Sequence, residues 1–116
     1  MGKTHLLDGA VLNELQSFGR SPQFLEQLID IYENHAQRSM AELKLALQKN
    51  DRAVLRSVAH RFKGSSLNIG ASGLVELLLK IESFPVSEAL DPGIVQLLEE
   101  LQGMFELTSN ALKLLK

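Results

Sequence analysis

The chain has 116 residues, a formal net charge of −2 and no cysteine. That length suits one domain that buries roughly two-thirds of its unfolded surface. The missing thiols exclude disulfide frameworks and thiolate metal sites, and the mild acidity argues against a nucleic-acid binder. Hydrophobic residues at 45% and charged residues at 22% are ordinary for a globular protein. Scarce aromatics, 5%, and abundant leucine favour helices packed by aliphatic side chains over a β-sandwich. No apolar run approaches the ~20 residues needed to span a bilayer, and the N-terminus lacks a signal-peptide core. A soluble domain of cytoplasmic type is expected, without direct membrane contact.

In chain order, residues 1–7 read as a lead-in. Asp8 caps a short first helix with Val11, Leu12, Leu15 and Phe18 at helical spacing, ended by Gly19. Ser21-Pro22, a cap followed by proline, starts a second. Its apolar residues Leu25, Leu28, Ile29, Tyr32, Ala36, Met40, Leu43 and Leu47 recur at i+3/i+4 to about Lys49. Asn50-Asp51 ends that helix and caps a third, which runs to about Ile69 with Gly70 as the stop. Ser72 starts a fourth through Leu74, Leu77, Leu78 and Ile81, halted at Phe84-Pro85. Asp91-Pro92 repeats the cap-plus-proline signature. The fifth helix then carries Ile94, Leu97, Leu98, Leu101, Phe105, Leu107, Leu112 and Leu115. Strand signals are absent. The pattern predicts an all-α domain over residues 1–116, an antiparallel up-down-up-down four-helix bundle with a short N-terminal helix.

The third helix carries the chemistry. On a wheel of 100° per residue, Leu55, Val58, Phe62, Ser65 and Ile69 face the core. His60, Lys63, Gly64 and Leu67, at i, i+3, i+4 and i+7, fall on the solvent side, with Arg56 and Ser57 one turn before them. An exposed neutral imidazole is a nucleophile near pH 7, its unperturbed pKa being about 6.5. Lys63 is a point charge suited to phosphoryl oxygens. Gly64 costs about 1 kcal/mol in a helix interior relative to alanine, a cost a helix carries when something must approach closely. Ser65 and Ser66 lie towards the core, within reach of backbone carbonyls one turn back.

Residues 52–63 hold Arg52, Arg56, Arg61 and Lys63 and no acid, a basic surface that suits a negatively charged partner site. Leu67, apolar on the exposed stripe, reads as part of a docking patch.

Plainer readings limit the rest. His5 lies in the lead-in and His35 reads as an ordinary helix residue; no His pair stands at i, i+4, so no metal site is expected. Ser57 assists a phosphate or is simply a surface serine, and the latter is favoured. Arg56 and Arg61 read as general electrostatic contacts. The Gly-Ser-Ser after Lys63 is no nucleotide loop, because helix precedes the lysine where a glycine-rich loop should stand.

The string Ala59-His60-Arg61-Phe62-Lys63-Gly64-Ser65-Ser66-Leu67-Asn68-Ile69-Gly70-Ala71 resembles the signature of the histidine-containing phosphotransfer (HPt) domain. The family pattern is Ala-His, any residue, an apolar residue, Lys-Gly-Ser-Ser or similar, and a close on Gly-Ala. The Lys-Gly-Ser-Ser form is more similar to the domains of hybrid sensor kinases and yeast-type phosphorelays than to the chemotaxis version.

The resemblance implies that His60 is phosphorylated by a receiver-domain aspartate and passes the group to another. Lys63 would hold the phosphate and Gly64 would leave the imidazole accessible. It implies no ATP binding, no kinase activity and no cofactor on this chain, with Mg2+ and much of the machinery on the response-regulator receiver. Some relatives hold the active imidazole with a glutamine on the neighbouring helix. Here that position is Glu82, which either fixes the tautomer of His60, repels the phosphoryl group, or faces solvent.

Candidate partner-binding residues are therefore Arg56, Ser57, Arg61, Leu67 and Glu82 beside the core set His60, Lys63 and Gly64. A monomer is expected, either free-standing or the C-terminal domain of a membrane-bound hybrid sensor kinase, the second being favoured. The competing class is an interaction module that docks or sequesters a protein through the same surface.

Overall fold

The structure, a computed structural model, describes residues 6–18, 22–85 and 92–116. Five helices appear: α1 (Gly9–Phe18), α2 (Pro22–Gln48), α3 (Arg52–Ile69), α4 (Ser72–Glu82) and α5 (Pro92–Lys113). There is no strand among the described residues. The expected signals at Gly19, Ser21 and Asp91 lie outside those residues, as does His5.

Local chemistry accounts for the ends. The Asp8 carboxylate accepts from the N–H groups of Ala10 and Val11, and Asp51 accepts from that of Val54. Each satisfies donors that an opening helix leaves unpaired. At the α2–α3 turn Asn50 takes φ 51, with Asn50 N–H on Leu47 C=O and Asp51 N–H on Ala46 C=O. Gly70 at φ 77 repeats that closure after α3, through Leu67 and Ser66 carbonyls. Both are Schellman ends, which need a left-handed residue. The fourth helix starts at Ser72 as expected, and its N-cap residue, Ala71, offers no side-chain cap.

Each longer helix packs on the next, and α5 returns to α2, so four helices enclose the core while α1 rests on α2 and α3. Phe62, Ile29, Leu43, Leu74, Leu78, Ile81, Leu101 and Leu112 are fully buried there. Burying such side chains contributes about 1.5–3 kcal/mol each.

Two core assignments need correction. Ser66, not Ser65, is buried, and its Oγ lies 2.7 Å from the Tyr32 hydroxyl across the α2–α3 contact. Ser65 is half-buried and donates to Phe62 C=O, one turn back as expected. On α5, Thr108, which the apolar pattern does not include, is buried in the core, its hydroxyl satisfied by Met104 C=O. Leu107 and Leu115 are exposed. No helix among the described residues is long and apolar enough to cross a membrane.

Candidate functional site

His60 stands mid-helix on α3 with its side chain 69% exposed. Its inner nitrogen, Nδ1, lies 2.6 Å from Glu82 Oε2, at the end of α4. The other oxygen of the same carboxylate, Oε1, accepts from Lys63 Nζ at 2.5 Å. One carboxylate thus joins two side chains that sit a turn apart on the neighbouring helix. The α3–α4 hairpin makes this meeting possible, because the tight turn at Gly70 sends α4 back along α3.

The electrostatics follow. The Lys63 hydrogen bond is the main influence holding the Glu82 carboxyl below its ordinary value; burial opposes it and His60 adds to it. Glu82 is therefore ionised at neutral pH. An ionised carboxylate only accepts, so the short contact requires the proton on His60 Nδ1. In a neutral imidazole that leaves a lone pair on the outward Nε2.

Lys63 departs from expectation. The wheel places it on the solvent side, yet its side chain is only 19% exposed because it lies along the α3–α4 seam to reach Glu82. Long aliphatic stems often pack this way with the ammonium at the rim. The reading of Glu82 as a solvent-facing residue is likewise overturned by its two contacts.

Gly64 is exposed, and a Cβ built on it meets nothing within 4 Å. No packing among the described residues demands a glycine there. Leu67, further along the same stripe, is 54% exposed. Ser57 is exposed as well.

The uniformly basic surface expected around His60 is partly neutralised. Nη2 of Arg61 donates to both carboxylate oxygens of Glu42 on α2, and Lys63 is paired with Glu82. Arg56 donates to the backbone carbonyl of Phe84, just past the end of α4. Sequence reading missed Glu42 and the Phe84 carbonyl because both partners lie on other elements, where no i, i+4 rule applies. Among the described residues no cluster of three or more His, Asp or Glu side chains is placed to hold a metal ion.

The arrangement presents one exposed imidazole with its inner nitrogen anchored, a lysine a turn away, and open space beside the ring. Comparison with known proteins agrees with that chemistry. The family model of the Hpt domain matches residues 27–111. Histidine-containing phosphotransfer protein B (HptB) of Pseudomonas aeruginosa PAO1 is similar in structure, with a TM-score of 0.79 and 28% identity, covering 96% of this chain and 94% of that one. A histidine-containing phosphotransfer protein from rice has the same fold, with a TM-score of 0.82 at 21% identity over 93% of this chain and 79% of that one. A search of curated proteins finds no match. The chain belongs to the Hpt domain family, whose members carry out histidine phosphotransfer in two-component phosphorelays.

Proposed function

We propose that His60 is the phosphorylated residue, taking a phosphoryl group from a receiver-domain aspartate and passing it to the aspartate of another receiver. The observation that carries this reading is the anchored imidazole: Nδ1 on Glu82 and the ring otherwise exposed. The Nε2 lone pair attacks phosphorus in line, the N–P bond forms as the acyl P–O bond breaks, and the carboxylate leaves with its electron pair. No proton has to leave Nε2. The positive charge that develops on the ring is met by Glu82. Transfer onward is the same exchange in reverse. Lys63 swings from Glu82 Oε1 to the phosphoryl oxygens, and the open side of Gly64 admits the partner's carboxylate.

The docked receiver would hold Mg2+, which would supply neutralisation of phosphoryl charge; this chain contributes no cofactor, no nucleotide site and no kinase activity of its own. Arg56, Ser57, Arg61 and Leu67 lie around His60 as docking residues. Arg56 also ties α3 to the end of α4 through Phe84 C=O, which holds Glu82 in place. We further infer that α2 to α5 form an antiparallel up-down-up-down bundle. From Tyr32–Ser66 to Glu42–Arg61 the position along α3 falls as the position along α2 rises. The tight turn at Gly70 returns α4 along α3 until Glu82 meets mid-helix His60, and Lys116 after α5 meets Asp30 in the early part of α2. The working unit is a monomer in the cytoplasm, touching neither nucleic acid nor membrane, and is either free-standing or the C-terminal domain of a hybrid sensor kinase.

The test is phosphoryl transfer from a labelled receiver domain to the wild type and to His60→Gln. Label on the wild type alone, lost in acid and kept in alkali, establishes phosphohistidine at His60. Label that persists on His60→Gln moves the site elsewhere. Binding of a receiver without any transfer supports the interaction module instead.

A further inference from the structure

The stripe of α4 that carries Glu82 continues into apolar surface. Leu79 and Val75, three and seven residues before Glu82, share its face by helical spacing. Leu79 is 50% exposed and Val75 half-buried. On α3, the stripe of Lys63 continues one turn on to Leu67, which is 54% exposed. Lys63 and Glu82 are bonded, and the turn at Gly70 and Ala71 joins the two helices beyond them. One turn from that pair towards the hairpin end, Leu67 on α3 and Leu79 on α4 therefore border the same furrow.

Taking the phosphotransfer reading as its basis, we propose that Leu67 and Leu79 form an apolar shoulder that the phosphoryl-donating receiver domain covers when it docks on His60, making α4 part of the docking surface. The geometry of transfer selects this occupant. A partner that hands a phosphoryl group to His60 centres its surface there, and a stable contact covers about 800 Å² of each partner, a disc of ~16 Å radius. Leu67 lies about 10 Å along α3 from His60 at ~1.5 Å per residue. Leu79 lies one turn from Glu82, which touches the His60 ring.

Both leucines fall inside the disc, and apolar surface there stabilises only when water is removed from it. The receiver surface that fits is apolar and borders the acidic pocket holding its phosphoacceptor. The equally exposed Leu107 is on α5, which makes no packing contact with α3 among the described residues, and so marks the opposite case.

Steady-state transfer from a phosphorylated receiver domain that labels the wild type tests this directly. Leu79→Gln keeps a good helix former at an exposed position. It is expected to raise KM for the receiver about tenfold while leaving kcat at saturation unchanged. Leu67→Gln is expected to do the same, and Leu107→Gln to leave KM at the wild-type value. If Leu79→Gln lowers the melting temperature, Leu67→Gln carries the test.

A wild-type KM in both shoulder variants overturns the proposal and leaves His60 as the carrier. An equal rise in Leu107→Gln overturns it too, by showing a general effect of surface polarity. A wild type that accepts nothing from any receiver removes the phosphotransfer reading itself, and the shoulder with it.

Discussion

Glu82 Oε2 lies 2.6 Å from His60 Nδ1, at the meeting of two helices whose relative rotation is fixed by a fully buried core on their inner faces. The carboxylate belongs to the last residue of its regular helix and is still held on both oxygens. A short polar contact of this kind, on a ring that is otherwise open to solvent, fixes orientation without hiding the nucleophile.

Glu82→Ala removes the ring's anchor and the partner of Lys63. Single-turnover phosphorylation of His60 by a receiver is expected to slow about tenfold or more, as misplaced reacting groups commonly do. Glu82→Gln keeps an oxygen acceptor for Nδ1–H and is expected to recover most of the rate. An alanine variant as fast as the wild type would remove the orienting role.

The Glu82 pair also gives the acid limb of stability a sign. Its carboxyl is held below the ordinary 4.5, first by Lys63 and then by His60. The folded state therefore binds this proton less readily than the unfolded one. The contribution is fully present above the unfolded value and is lost as pH falls below it through the folded value. In urea titrations the wild type should exceed Glu82→Gln by about 1 kcal/mol at neutral pH, with the gap closing in acid. A gap that stays constant across this range contradicts the assignment.

Gly64 offers the reverse trade. A Cβ there meets nothing, so Gly64→Ala should raise stability by about 0.5–1 kcal/mol through helix propensity alone. Gly64→Leu should keep the helix and block transfer, because its side chain fills the space beside His60. Thermal melts and receiver-to-His60 transfer, measured on the same samples, separate the two effects.

Tyr32 and Ser66 provide a test inside the core. Burial keeps the Tyr32 phenol protonated far above the ordinary tyrosine range, and Ser66 Oγ is its partner. Ser66→Ala strands a buried hydroxyl and should cost about 1–3 kcal/mol. Adding Tyr32→Phe should recover most of that loss. A double variant as unstable as the sum of the singles would show that the hydrogen bond couples nothing.

Much of this architecture was legible in local chemistry. Asp8, Asp51 and Gly70 act through neighbours within six residues of chain, so their signals transfer directly from sequence to helix ends. His60, Lys63, Gly64 and Leu67 share one helix, and their spacing determines their common side.

The burial of Lys63 and the contacts of Glu82 were not legible in the same way. Both depend on how α4 is rotated against α3, and a shift of one residue turns a helix by about 100°. Arg61 with Glu42 has the same origin, 19 residues apart on separate helices. Ser65 and Ser66 flank the core face on opposite sides, so a modest rotation of α3 decides which of them is fully buried. Thr108 was missed because a threonine that bonds its own helix enters a core as readily as an aliphatic residue.

The turn after α3 has a bearing on the site some distance away. Gly70 C=O accepts from Asp8 N–H at 2.6 Å, and a Cβ on Gly70 would meet Asp8 and Val11 at 3.1 and 3.2 Å. The segment before α1 and the first turn of α1 are thus wedged against the hinge of the α3–α4 hairpin. That hinge sets how far α4 slides along α3, and so the height at which a carboxylate meets the imidazole. The short first helix works as an alignment stop: residues that never approach His60 help to hold the setting of its ring.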